Sequence, residues 1–242
     1  MCTVSYIPTR DKIFITSNRD EKNLRKTALP PCVYETGSRK LIYPKDADAG
    51  GSWIALHENG NAAVLLNGAF KSHNPNPPYR LSRGRIFLEI IGTEKPLTNF
   101  HQLPLALIEP FTLVLYEAEK LWECRWDGKD KYITELNPAM PAIWSSVTLY
   151  DEDIIRKRRR WFLAFMDRHP HPTQKDILDF HHFTGDGDQA NNLVMKREEL
   201  YATVSITSVL LTADRGSMKY FDLKNGDRSE KKIEFRPALH VI

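Results

Sequence analysis

Cys2 is the residue whose place in the sequence carries the most chemistry. It follows the first methionine directly, in Met1-Cys2-Thr3. Methionine is generally removed when the next residue is small, which would make Cys2 the chemical N-terminus. A cysteine with a free α-amine holds a nucleophile and a base in one residue. Its thiolate attacks a carbonyl carbon, and the amine, with an ordinary pKa of about 7.7–8.0, moves protons near neutral pH. A nearby arginine lowers a thiol pKa, and Arg19, within Asn18-Arg19-Asp20-Glu21, is the candidate for that role. Asp20 is expected to hold or orient the α-ammonium. Asn67, at the end of the apolar run 62–67, offers a side-chain amide to a developing oxyanion. Periodicity alone favours a plainer reading of Cys2, as a small apolar residue in an edge strand.

The elements that must position these residues are short. Runs of β-branched and apolar residues at 3–7 and 12–17 flank Pro8–Asp11 and predict a hairpin. The polar cluster 18–21 closes its second strand. A basic, turn-like stretch covers 22–26 and is broken at Pro30-Pro31, and 39–43 reads as a further strand. The small residues of 47–51 predict a flexible loop. Strands at 52–57 and 62–67 surround Asn59-Gly60, a pair that favours positive φ and hence a tight hairpin. A long loop, 68–84, carries Asn74-Pro75-Asn76-Pro77-Pro78, and loops of that length in a compact domain usually serve function or are disordered. Helices are predicted at 86–91 and 104–108, then an antiparallel meander at 111–117, 121–126 and 131–136. The strongest helix is 151–168, with Asp151, Glu152 and Asp153 at its positive end. Another follows at 173–181 behind Thr173 as N-cap. Residues 182–192 form a polar loop, and late strands lie at 203–213, 218–223 and 231–236. Hairpins without βαβ units predict an α+β fold of antiparallel sheets, as one domain over 1–242.

Composition narrows the function classes. The chain has 242 residues, 41% hydrophobic and 27% charged, the profile of a globular protein with a sizeable core. No apolar run approaches the roughly 20 residues of a membrane-spanning helix. The N-terminus resembles neither a secretory signal nor a transit peptide. A net charge of +3 predicts neither a nucleic-acid nor a membrane partner. Three widely spaced cysteines do not make a disulfide framework and suggest a reducing compartment, the cytoplasm.

Several motifs in fixed order carry a resemblance. Met1-Cys2-Thr3, Asn18-Arg19-Asp20-Glu21, Gly50-Gly51-Ser52-Trp53, Asn67 and Ser82-Arg83-Gly84 together resemble the NRDE family, also called the transport and Golgi organisation protein 2 family. The match is densest from residue 1 to about residue 84. That family is similar in turn to the N-terminal-nucleophile hydrolases of the choloylglycine hydrolase and penicillin V acylase type. The resemblance implies a four-layer αββα sandwich of two antiparallel sheets and cleavage of a carbon–nitrogen or related acyl bond. It implies Cys2, Arg19, Asp20 and Asn67 as catalytic residues and Asn18, Trp53 and Arg83 as substrate-binding residues. The chain departs from the acylase pattern in its Arg–Asp spacing. It also carries Ser145-Ser146 and Ser205 where a second asparagine and a late arginine are expected.

Other clusters read more simply. Arg156–Arg160 fan around a helix beside Asp151–Asp153, which predicts a solvated face with local pairs rather than a nucleic-acid patch. Arg80, Arg83 and Arg85 flank the long loop and suit either solvation or an anionic substrate group. His169, His171, His181 and His182 lack the spacing of a zinc site, and Gly185-Asp186-Gly187-Asp188 lacks most ligands of a calcium loop. Cys32, Cys124, Trp122, Trp126 and Tyr132 read as packing residues. No metal or cofactor is expected. Two functions follow. One is an N-terminal-cysteine amidohydrolase or acyl-transfer enzyme with a small amide or acyl substrate. The other is a non-catalytic binding or trafficking protein for lipid, acyl or haem ligands on the same fold, favoured by the serines at 146 and 205.

Overall fold

The strand signals resolve into two antiparallel sheets. The computed structural model describes residues 2–36, 39–198 and 200–236. Sheet A contains β1 (Cys2–Pro8), β2 (Ile13–Lys22), β10 (Ala142–Ser145), β11 (Lys196–Arg197), β12 (Tyr201–Leu211), β13 (Arg215–Asp222) and β14 (Arg228–Glu234). Their order is β10-β1-β2-β12-β13-β14, with β11 against β12. Sheet B runs in sequence order through β3 (Leu29–Thr36), β4 (Arg39–Lys45), β5 (Ile54–His57), β6 (Ala62–Asn67), β7 (Phe111–Glu117), β8 (Lys120–Trp126) and β9 (Lys131–Leu136). Four helices complete it: α1 (Arg83–Ile91), α2 (Pro96–Gln102), α3 (Glu152–Arg168) and α4 (Gln174–Phe183).

Period-two alternation sorts the side chains into layers. Val4 and Tyr6 of β1 and Ile15 of β2 face sheet B and meet Ile42, Ile54, Leu56, Val64 and Val114. Their neighbours Ile7 and Phe14 point the other way, against Phe162, Phe165, Ile177 and Phe180 of α3 and α4. On the far side of sheet B, Ala55, Ala63, Leu113 and Leu115 pack on Ile86, Phe87 and Ile90 of α1 and Phe100 of α2. The sequence of layers is therefore helices, sheet A, sheet B, helices, the expected αββα sandwich. Each fully buried large apolar side chain stabilises it by about 1.5–3 kcal/mol.

Local chemistry fixes the ends. The Thr173 hydroxyl and the Asp176 carboxylate make a reciprocal capping box at the start of α4. Asp151 caps α3 by accepting from the Ile154 N–H. Gly60 has φ of +87° in the β5–β6 turn, as the Asn-Gly pair requires.

Two expectations are corrected, and one strand is added. Pro30 and Pro31 do not break the chain but sit in β3, an edge strand whose register shifts between Leu29 and Cys32, where missing N–H groups cost no ladder bond. Residues 104–108 are not helical. Leu105 and Ile108 anchor a turn, and the helix lies earlier, at α2, with Pro96 in its first turn. Residues 142–145 form β10, a short strand flanked by Pro141 that pairs with β1.

Candidate active site

Strand β1 begins at Cys2, and the register places Cys2 opposite Arg19 of β2. Cys2 is described by its backbone, and Met1, whose removal the sequence predicts, lies outside the described residues. On the other side of β2, Arg19 pairs with Ser205 and Asp20 with Thr203, across an irregularity at Val204. Arg19 reaches the mouth of the space between the sheets. Its guanidinium carbon lies 4.3 Å from the centre of the Trp53 ring. Its Nη2 donates to Asp46 Oδ2 at 2.5 Å and stands 3.4 Å from Glu21 Oε2.

Asp46 organises this wall. Arg25 donates to both of its oxygens at 2.9 and 3.1 Å, and the Asp48 and Ala49 N–H groups donate to Oδ1. Burial acts to raise the Asp46 pKa. The hydrogen bonds from Arg25 and Ala49 and the charges of Arg19 and Arg25 overcome it and hold the carboxyl below its ordinary value.

A cleft of about 750 Å³ opens here, well within the size range of small-molecule sites. Arg19, Trp53, Leu65, Asn67 and Tyr201 line it, and residues of the long loop close it, among them His73, Tyr79 and Arg83. Asn67 ends β6. Its backbone carbonyl accepts from Ser146 Oγ at 2.8 Å, while its amide makes no hydrogen bond among the described residues. Also in the lining, Arg83 Nη2 lies 3.1 Å from Glu109 Oε2, and His73 Nε2 lies 3.2 Å from Glu109 Oε1.

The glycine motifs have a steric reason. Ser52 N donates to Gly84 O at 3.1 Å. A Cβ on Gly51 would fall within 3 Å of the Gly84 and Arg85 backbone, and one on Gly84 would sit 2.9 Å from Ser52 O. The loop before β5 and the start of α1 therefore touch backbone to backbone, and this contact carries Trp53 and Arg83 into one cleft.

The structure thus brings Arg19, Trp53, Asn67 and Arg83 together beside the Cys2 end of β1. It places Asn18 and Asp20 on the other face of sheet A. Asn18 is fully buried: Nδ2 donates to the carbonyls of His181 at 3.0 Å and Leu193 at 2.7 Å, and Oδ1 meets His181 Nδ1 at 2.6 Å. It does not line the cleft, because strand alternation turns residues 18 and 20 away from residue 19. Asp20 is fully buried too. It accepts from Tyr150 OH at 2.6 Å and from Thr203 Oγ1 at 2.7 Å. Burial raises its pKa, against the lowering pull of Arg158, Thr203 and Tyr150.

Sequence reasoning missed several members of the site. Arg158 is not on a solvated face but is fully buried, stacked 3.7 Å from the Tyr150 ring centre. The signal was present, since residues 158, 162 and 165 follow one helical stripe and Phe162 and Phe165 are both buried. Arg156, by contrast, pairs with Glu152 and Asp153 on the exposed side as expected. Asp46, Arg25, His73 and Glu109 gave no signal beyond their charge. Cys32 is exposed rather than packed, whereas Cys124 is buried and its thiol pushed up to about 12 by that burial. Among the described residues, no group of three metal-ligating side chains converges, and no helix is long and apolar enough to cross a membrane.

Two stacked antiparallel sheets with helices on both outer sides give the chain an N-terminal-nucleophile-hydrolase-like fold, with a cleft at the start of β1. The N-acylethanolamine-hydrolyzing acid amidase ortholog of Caenorhabditis elegans is similar in structure, with a TM-score of 0.59 and 12% identity over 86% of this chain and 92% of that one. The C2A mutant of the conjugated bile acid hydrolase from Clostridium perfringens is also similar, with a TM-score of 0.53 and 9% identity over 100% of both chains. The family model for transport and Golgi organisation 2 matches residues 1–150, and the chain belongs to that family. No curated protein sequence matches it.

Proposed function

We propose that the chain is an N-terminal-cysteine amidohydrolase or acyl-transfer enzyme acting on a small amide or acyl substrate, as one domain in the cytoplasm. The observation that carries this reading is the register of β1. Cys2 opens the strand and stands opposite Arg19, whose guanidinium lines the cleft with Trp53 and Asn67. The similarity in fold to an acid amidase and a bile acid hydrolase supports it.

The chemistry follows from the parts. After Met1 is removed, the Cys2 thiolate attacks the substrate acyl carbon, and the carbonyl electrons move onto oxygen. The Asn67 amide donates to that oxyanion. The α-amine of Cys2 takes the thiol proton and delivers it to the leaving nitrogen as the C–N bond breaks. Water, or an acceptor amine in the transfer case, then releases the acyl group and restores the thiol. Arg19 and Arg83, both in the cleft lining, would bind polar groups of the substrate.

The test combines intact-mass analysis of natively expressed protein with a screen of acyl amides and thioesters for released amine or thiol. The reading predicts loss of Met1, covalent labelling at Cys2 and turnover that Cys2→Ala abolishes. Retained Met1 would overturn it, because the amine would then be locked in a peptide bond. The binding or trafficking alternative draws on the serines at 146 and 205. It predicts ligand binding and cellular function that Cys2→Ala leaves intact.

A further inference from the structure

The obvious cation for activating Cys2 is Arg19, but its charge is already answered. Asp46 lies 2.5 Å from its Nη2 and Glu21 3.4 Å away. Arg25 shares both carboxylates, so this wall carries two cations against two anions and projects little net field onto its neighbour.

Behind sheet A the balance is the reverse. Arg158 Nη1 donates to Thr3 Oγ1, on the residue next to Cys2. Its Nη2 donates to the carbonyls of Asn192 at 2.6 Å and Asn191 at 3.1 Å, and its ring-stacking partner is Tyr150. Arg197 lies 5.2 Å from the centre of the same Tyr150 ring. It donates to the carbonyls of Ala190 at 2.9 Å and Leu149 at 2.8 Å and to Asn191 Oδ1 at 2.8 Å. Among the described residues, every hydrogen-bond acceptor of both arginines is neutral. Among the described residues, the buried carboxylate of the cluster is Asp20, to which Tyr150 OH and Thr203 donate, and the exposed Asp188 reaches Arg197 only through the Asn191 side chain. Two cations therefore share one buried anion among the described residues, in a layer where charges are weakly screened.

We propose that Arg158 and Arg197 are positioning residues that supply the positive potential at the start of β1 and keep Cys2 in its deprotonated, reactive form. Deprotonation of the thiol creates a negative charge, so a field of this sign favours the thiolate. Among the described residues, the charged and titratable groups bearing on that strand end are Arg19, Asp20 and Glu21 of β2, Asp46, Tyr150, Arg158 of α3, His181 of α4, held neutral by burial, and Arg197 of β11. Arg158 reaches Asp20 as well, because its charge pulls the buried carboxyl downward against the effect of burial. The serine at 205, where the family resemblance leads one to expect an arginine, fits a site whose cation comes from the helix layer instead.

The proposal rests on the reading of Cys2 as a nucleophile, and its test is kept separate from turnover. The rate of Cys2 alkylation by iodoacetamide is measured by peptide mass spectrometry from pH 5 to pH 9. The protein used is the full chain with Cys32→Ser, to remove the exposed competitor, and with Met1 loss verified by intact mass. The expected midpoint lies clearly below that of an ordinary thiol, about 8.5. Arg158→Met is expected to raise it by about one pH unit, and Arg158→Lys to keep most of the shift. Arg197→Gln, at a less buried site, tests the same field should Arg158→Met fail to fold, and is expected to raise the midpoint by a few tenths. Arg19→Met should move it less than Arg158→Met. A wild-type midpoint near that of a free thiol would overturn the proposal. So would folded Arg158→Met or Arg197→Gln protein with an unchanged midpoint, the result of a purely structural role. Failure of the enzyme reading is a different result: absence of turnover in the screen, whatever the alkylation profile.

Discussion

The two faces of sheet A carry polar chemistry of opposite character. On the outer face, Asn18, His181, Ser5, Asp20, Tyr150 and Arg158 are packed in the dark, with nearly every donor and acceptor matched. On the inner face, Arg19 borders an open cleft with Trp53 and Asn67 from the sheet B side, and the Asn67 amide makes no hydrogen bond among the described residues. The Ser5–His181–Asn18 arrangement has the partners of a nucleophilic triad. Ser5 Oγ lies 2.7 Å from His181 Nε2, and His181 Nδ1 lies 2.6 Å from Asn18 Oδ1. All three side chains are fully buried, and none lines the cleft. Hydrogen-bond geometry alone therefore does not make a site. Access does, and it separates a polar layer that fixes structure from one that meets a ligand.

The largest expected effects lie on the cleft side. Cys2→Ala should remove turnover of a responsive substrate by more than about a thousandfold, with the melting temperature nearly unchanged. Asn67→Ala is expected to lower kcat by about 10²–10³-fold, the usual cost of one oxyanion donor, as steady-state kinetics would read. An Asn67 variant with normal kcat would erase the catalytic side of the comparison.

The outer face should respond in stability instead. His181→Ala leaves Asn18 Oδ1 and Ser5 Oγ without partners and opens a cavity. Denaturant unfolding should register a loss of about 3 kcal/mol. The pH dependence sharpens this. Burial, with a further contribution from Arg158, pushes the His181 pKa down to about 3. The neutral ring fits its partners: Asn18 Nδ2 already donates to two carbonyls, so Oδ1 accepts from Nδ1–H and Nε2 accepts from Ser5. Because the unfolded histidine titrates near 6.5, the unfolded state binds the extra proton between that pH and 3. The contribution of His181 is thus complete above pH 6.5 and falls as the pH drops, by about 2 kcal/mol at pH 5. A His181→Gln variant should lose that slope, and an equal slope in the two proteins would assign it elsewhere. The smallest effect is expected at Arg156, exposed and paired only along its own helix. Arg156→Ala should change unfolding free energy by less than about 0.5 kcal/mol.

Much of the frame was legible in the residues. Alternation in 3–7 and 12–17 and the Asn59-Gly60 turn give the strands and their hairpins. The Asp151 and Thr173 caps start the two helices over sheet A. Where the reading failed, local signals were overruled by position in the sheet. Pro30 and Pro31 are tolerated because β3 is an edge. Residues 104–108 have helical apolar spacing but serve as a turn. Arg158 looked like one charge in a basic run, yet its stripe with Phe162 and Phe165 carries it into the core.

The sequence by itself determined that Cys2 stands at the head of a strand and that residue 19 must face away from residues 18 and 20, since a strand alternates its side chains by covalent geometry. Only the tertiary structure decided which of those faces opens on a cleft and which is sealed under α3 and α4. That choice depends on where two sheets and four helices bury their apolar surfaces. It also decided that Arg19 would meet Asp46 and that Arg158 would donate to Thr3, because both pairings join segments far apart in the chain, which no local pattern encodes.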